Sequence, residues 1–119
     1  MDYWGFHLML DCSNCNKEAI GNEDNIKTFI KTLVKDIDMV AYGDPMVAHF
    51  ATHDPDKAGY SFCQMIETSN ITGHMVDKNG DFYLDVFSCK PFSNDTVKEL
   101  VNKFFNPKKV RVNYITRCA

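Results

Sequence analysis

GYSFCQMIETSNITGHMVDKNGDFYLDVFSC, residues Gly59–Cys89, reads as three consecutive strands at about Tyr60–Glu67, Ile71–Val76 and Phe82–Cys89. Aromatic and β-branched residues dominate each run, and polar turn residues separate them. Asp77-Lys78-Asn79-Gly80 supplies the tight turn before the third strand, because Asn and Gly tolerate positive φ. A three-residue loop with Gly80 left-handed pairs Asp77 with Asp81 and sets Ser69 opposite Cys89. A two-residue loop sets Asn70 there instead. Either register leaves a hydroxyl, a thiol and His74 on neighbouring strands of one sheet.

Upstream, Trp4–Cys12 is an apolar run that reads as a first strand. Asp24–Ile37 reads as a helix, because Ile26, Phe29, Ile30, Leu33, Val34 and Ile37 form one apolar stripe, with Asn22 or Asp24 as its cap. Gly43-Asp44-Pro45 turns the chain into a strand at Met46–Ala51, and Thr52–Ala58 is a polar loop. Downstream of Cys89, Ser93-Asn94-Asp95 opens a second helix with Val97, Leu100, Val101, Phe104 and Phe105 on its buried side, and Asn106-Pro107 stops it. Lys109–Thr116 alternates as a final half-exposed strand. The order β-α-β-β-β-β-α-β implies a two-layer α+β sandwich: a largely antiparallel sheet with both helices on one face.

At 119 residues the chain is one domain, and 45% hydrophobic content excludes disorder. A net charge of −3 gives no basic footprint for nucleic acid. No apolar run is long enough to span a bilayer, and the opening MDYWGFHLML lacks a cationic n-region and a cleavage site, so no membrane association is expected. Five cysteines make an odd set with no disulfide framework, which points to a reducing cytoplasm. Cys12-Ser13-Asn14-Cys15 lacks a second ligand pair, and His49 and His53 do not share a face, so no metal is expected.

Central-strand residues of both parities are apolar (Phe62, Met65, Ile66, Phe82, Leu84, Val86, Phe87). A sheet with two apolar faces buries the second in an oligomer, and a dimer formed through the sheets is expected. Taken singly, Ser61, Ser69, His74 and Cys89 are ordinary strand and turn residues and a small apolar thiol. Ser69 lacks the GxSxG elbow of a serine hydrolase, whereas a His74–Cys89 nucleophile pair stays open on spacing alone.

Taken together, these four residues resemble the bacterial-type S-adenosylmethionine decarboxylase family across nearly the whole chain. GFHLMLD is similar to that family's G-x-H-L opening strand. Ser61, Ser69, His74 and Cys89 in LDVFSC match its functional serine, precursor serine, processing histidine and catalytic cysteine without a gap. The resemblance implies a proenzyme that cleaves its own Thr68–Ser69 bond into chains 1–68 and 69–119. Ser69 becomes a covalent pyruvoyl group, with His74 as proton acceptor and Ser61 assisting. The pyruvoyl ketone then forms a Schiff base with S-adenosylmethionine and acts as an electron sink, and Cys89 returns a proton after decarboxylation. The product feeds spermidine synthesis. Phe50 is the candidate to stack on adenine.

The chain departs from the family at two places. Thr68 stands where the family has Glu before the cleaved bond. Lys78 stands where the family's ribose-binding Glu falls, which makes the neighbouring Asp77 the candidate substitute. These departures leave two alternatives: a pyruvoyl-dependent arginine or ornithine decarboxylase, and an unprocessed, non-catalytic regulatory homologue.

Overall fold

Fourteen residues from Glu23 to Asp36 place Ile26, Phe29, Ile30, Leu33 and Val34 on one buried helical face, and this stripe sets the first layer. A computed structural model describes residues 3–119 of the chain. The elements run β1 (Gly5–Ser13), α1 (Lys17–Ile20), α2 (Glu23–Asp36), β2 (Met46–Phe50), β3 (Gly59–Ile66), β4 (Ser69–Val76), β5 (Asp81–Ser88), α3 (Asn94–Phe105) and β6 (Lys109–Arg117). The expected order and two-layer architecture are borne out. The addition is α1, a single turn that Asn16 caps by accepting from the Ala19 N–H at 2.9 Å.

The six strands form one sheet in the order β2-β3-β4-β5-β1-β6, and every neighbouring pair is antiparallel. Alternation along each strand sends one set of side chains to the helices and the other to the uncovered face. Leu8, Leu10, Cys12, Phe62, Ile66, Ile71, Met75, Phe82, Leu84 and Val86 point inward and join the stripes of α2 and α3 in one core. Phe29, Phe82 and Phe105 meet edge to face at its centre, 4.8–6.1 Å between centroids. Met46, Phe50, Met65 and Tyr83 are exposed on the other side. The final strand, β6, is an edge strand and exposed along nearly its whole length. No helix among the described residues is long and apolar enough to cross a membrane.

Both CxxC thiols are buried, and burial pushes Cys12 up to about 12 and Cys15 to about 11. They are therefore protonated at neutral pH and inert as nucleophiles.

The β4–β5 register differs from both expectations. Val76 pairs with Asp81, so all four residues Asp77–Gly80 form the loop, and Ser69 lies opposite Ser88. The Gly80 N–H donates to the Val76 carbonyl at 2.9 Å, and Gly80 itself has φ of +82°. A Cβ at that position would come within 2.7 Å of the Cys15 carbonyl oxygen, so the turn requires glycine both for its φ and for space. The extra loop residue moves Cys89 beyond the end of β5, where its N–H donates to the Thr68 carbonyl at 3.0 Å.

Candidate active site

The Thr68–Ser69 bond lies in the shortest connection of the sheet. Ile66 pairs directly with Ser69, leaving only Glu67 and Thr68 in the turn. Ser69, expected in a loop, instead opens β4. Long-range contacts hold this turn in place. The Glu67 N–H donates to the Val40 carbonyl at 2.9 Å, and the Thr68 hydroxyl lies 2.7 Å from the hydroxyl of Ser88. Ser88 is fully buried and also accepts from the Lys90 N–H at 3.0 Å. Lys90 donates to the Asp38 carboxylate at 2.9 Å, and this hydrogen bond holds the Asp38 carboxyl below its usual range. The loop that carries Met39 and Val40 is thereby tied to the segment after β5 that carries Cys89.

Sequence reasoning had no reason to single out Ser88. A serine in a strand gives no signal until its partner is known, and that partner is twenty residues away.

A second cluster lies on the uncovered face. Ser61 and His74 are register partners, and Ser61 Oγ and His74 Nδ1 share a hydrogen bond of 3.0 Å. Both line a cleft of about 250 Å³ with Met46, Phe50, Phe62, Cys63 and Thr72. A flat aromatic ring, a methionine and a histidine–serine pair suit an apolar cation and a proton transfer.

The two clusters are far apart within one chain. Ser69 and His74 stand at positions one and six of β4. At about 3.3 Å per strand residue they are about 17 Å apart. His74 pairs with Tyr83, six residues before Cys89, so the His74–Cys89 nucleophile pair left open by spacing is excluded within one chain. Phe50, Ser61 and His74 come together, as do Thr68, Ser69 and Cys89.

Asp77 joins neither group. Its carboxylate is 2.6 Å from His49 Nε2, in a separate cleft lined by Lys17, Gly21 and Tyr60 on the helix side of the sheet. The reason is parity: Asp77 continues the inward-pointing set of β4 after Met75. Lys78 is held by Asp56 at 2.6 Å, with both side chains exposed. Asp77→Asn should therefore leave the KM for a nucleoside substrate unchanged and lower stability by less than about 1 kcal/mol, because the His49–Asp77 pair is well exposed. A tenfold rise in KM, measured alongside an unchanged urea midpoint, would instead return Asp77 to substrate binding.

A family model described as S-adenosylmethionine decarboxylase matches residues 6–118. The chain belongs to the S-adenosylmethionine decarboxylase family. The family and the enzyme class expected from the sequence are thereby borne out. An S-adenosylmethionine decarboxylase proenzyme of Clostridium botulinum strain Langeland is 27% identical over 118 residues, covering 98% of this chain and 97% of the relative. The protein of the same name from Methanococcus vannielii is 28% identical over 119 residues, covering 98% and 92%. The crystal structure of the adenosylmethionine decarboxylase from Aquifex aeolicus VF5 superposes with a TM-score of 0.83 at 18% identity, covering 100% of this chain and 94% of that one. At that identity the superposition establishes the fold.

Proposed function

We propose that the chain is a self-processing, pyruvoyl-dependent decarboxylase of S-adenosylmethionine. It acts in the cytoplasm as a homodimer of cleaved protomers, and its product feeds spermidine synthesis. The observation that carries this reading is the 3.0 Å Ser61–His74 hydrogen bond beside Phe50, on the uncovered face of a chain whose Thr68–Ser69 bond lies at a two-residue turn.

Processing begins at Ser69. Its hydroxyl attacks the Thr68 carbonyl carbon, and the peptide C–N bond gives way to an ester. The Cys89 N–H, 3.0 Å from the Thr68 carbonyl oxygen, is placed to stabilise the charge that builds there. His74 then takes the α-proton of Ser69, and the Thr68 carboxylate leaves. Hydrolysis of the dehydroalanine releases ammonia and leaves the pyruvoyl group on chain 69–119. When His74 Nδ1–H donates to Ser61 Oγ, Nε2 presents its lone pair to the open face, so Ser61 selects the basic tautomer.

His74 is about 17 Å along β4 from its own Ser69 and serves the Ser69 of a second copy. Exposed Met46, Phe50, Met65 and Tyr83 on the uncovered face favour packing two such faces about a two-fold axis. Each site then combines Thr68, Ser69 and Cys89 of one protomer with Phe50, Ser61 and His74 of its partner.

Ser69 fits the pyruvoyl group: it carries the required hydroxyl, follows the polarised carbonyl and lies next to the Cys89 backbone. The group supplies a ketone that captures the substrate amine and accepts the electrons released with carbon dioxide. Cys89 donates the returning proton. Phe50 stacks on adenine and attracts the sulfonium. With Lys78 in place of a ribose-binding carboxylate, the KM is raised, since a lost charge-assisted hydrogen bond costs about ten- to a hundredfold in affinity.

Carbon dioxide release from carboxyl-labelled S-adenosylmethionine, arginine and ornithine, combined with intact mass, tests the reading. Wild type should appear as two chains and act on the nucleoside, and Ser69→Ala should stay a single 13.6 kDa chain. Turnover of arginine or ornithine alone would overturn the substrate assignment. A wild-type chain that stays whole would favour a regulatory role.

A further inference from the structure

The cleft at the far end of the uncovered face has no role in the scheme above. It measures about 690 Å³ and is lined by Trp4, Phe87, Thr116, Arg117, Cys118 and Ala119. We infer that Arg117 in this cleft receives the α-carboxylate of the substrate and so selects for an amino acid that still carries one. The inference rests on the decarboxylase reading.

The register carries the geometry. Gly5 pairs with Arg117, and Phe6 pairs with Ser88, so Gly5 lies between Arg117 and Cys89. The Cys89 N–H in turn holds the Thr68 carbonyl. Arg117, Gly5, Cys89 and the Thr68–Ser69 bond thus form one row across β6, β1, β5 and β4. The Arg117 backbone is two strands from β5, about 10 Å away. Its Cζ nevertheless lies 4.6 Å from the centre of the Phe87 ring, and Phe87 stands on β5 two residues before Cys89. The contact holds the guanidinium against a ring that reaches from β5 over Gly5, in the row that ends at Cys89.

Glycine at position 5 permits this. A Cβ there would come 2.7 Å from Phe87 Cε1, so the ring occupies the space above Gly5 and supports the guanidinium. A guanidinium stacked on a ring keeps its in-plane N–H donors free for a bidentate carboxylate. Among the described residues Arg117 joins none of the ion pairs. Asp85, the carboxylate on the same face of β5, is engaged by His7 at 3.0 Å and does not compete. Because the carbon that Cys89 reprotonates is the one that loses the carboxylate, the carboxylate must start beside Cys89. Loss of carbon dioxide then leaves Arg117 without a partner, and the product is released from it.

Arg117→Gln and Arg117→Lys test the assignment on processed protein. Arg117→Gln should raise the KM for S-adenosylmethionine about ten- to a hundredfold without lowering kcat, because the contact belongs to the bound ground state. Arg117→Lys, which keeps the charge, should recover part of the loss. Binding of decarboxylated S-adenosylmethionine, read both as inhibition and as quenching of the single tryptophan Trp4, should be unchanged in either variant. Equal weakening toward both ligands, or toward neither, overturns the inference and leaves the decarboxylase reading standing. A wild-type protein that neither turns over the substrate nor binds the product overturns both.

Discussion

Chains carrying Ser69→Ala and chains carrying His74→Ala should each fail to cleave alone, yet cleave when co-expressed. In the proposed arrangement a mixed dimer sets the intact Ser69 of the His74→Ala chain against the intact His74 of its partner. With equal expression and random pairing, about half of the His74→Ala chains should be cut, and no Ser69→Ala chain should be. The readout is denaturing mass spectrometry with a mass tag on one chain. The His74→Ala homodimer should stall at the ester, which hydroxylamine cleaves. The effect is all or none because a base about 17 Å away along its own strand cannot reach the α-proton. Processing confined to chains that carry both residues would place the machinery within one protomer and overturn the shared-site arrangement.

The separation of Ser69 from His74 was not legible in the sequence. His74 is the fifth residue after Ser69, and spacing says nothing about distance until the element is known. In a helix those residues would be about 7.5 Å apart, whereas in β4 they are more than twice that. The α2 stripe was readable because fourteen residues repeat a 3.6 period around one core. The single turn of α1 offers no period to read.

The hairpins failed for a different reason. Asn79-Gly80 announces a turn, but Asn79 Oδ1 accepts from the Asp81 N–H at 2.9 Å and fixes a four-residue loop that the dipeptide alone does not specify. Ser69 and Asn70 look like loop residues by composition. The Glu67 bond to Val40 and the Thr68 bond to Ser88 draw them into a strand, and neither partner is local. The family's departure at Thr68 also acquires a physical meaning here. The Thr68 hydroxyl, where the resemblance puts a carboxylate, finds a buried hydroxyl partner in Ser88, so the residue before the proposed cleavage point stays anchored. Asp77 falls outside the Ser61–His74 cluster because of parity, which adjacency in sequence does not reveal. Being next to Lys78 in sequence does not make it a neighbour on the same face, and the inward set of β4 delivers it to His49.

Cys89 separates the two stages of the proposed chemistry, because its backbone and its side chain have different tasks. The backbone N–H donates to the Thr68 carbonyl at 3.0 Å and belongs to processing. The half-buried thiol belongs to turnover. Cys89→Ala keeps the N–H and removes the thiol, so the chain should still split at Thr68–Ser69 at close to the wild-type rate. Turnover of S-adenosylmethionine should nevertheless fall about 10²–10⁴-fold, the usual contribution of a positioned general acid. Cys89→Ser keeps a proton on the same atom position, but its hydroxyl is a far weaker acid, so it should recover only part of the loss. The deficit should lie in kcat and not in KM, since the proton is delivered after the substrate is bound. Single-turnover measurements on fully processed protein distinguish that deficit from incomplete cleavage. Near-normal turnover in Cys89→Ala would reduce the thiol to a packing group and leave the proton donor to be sought among the side chains that a second protomer brings to the site.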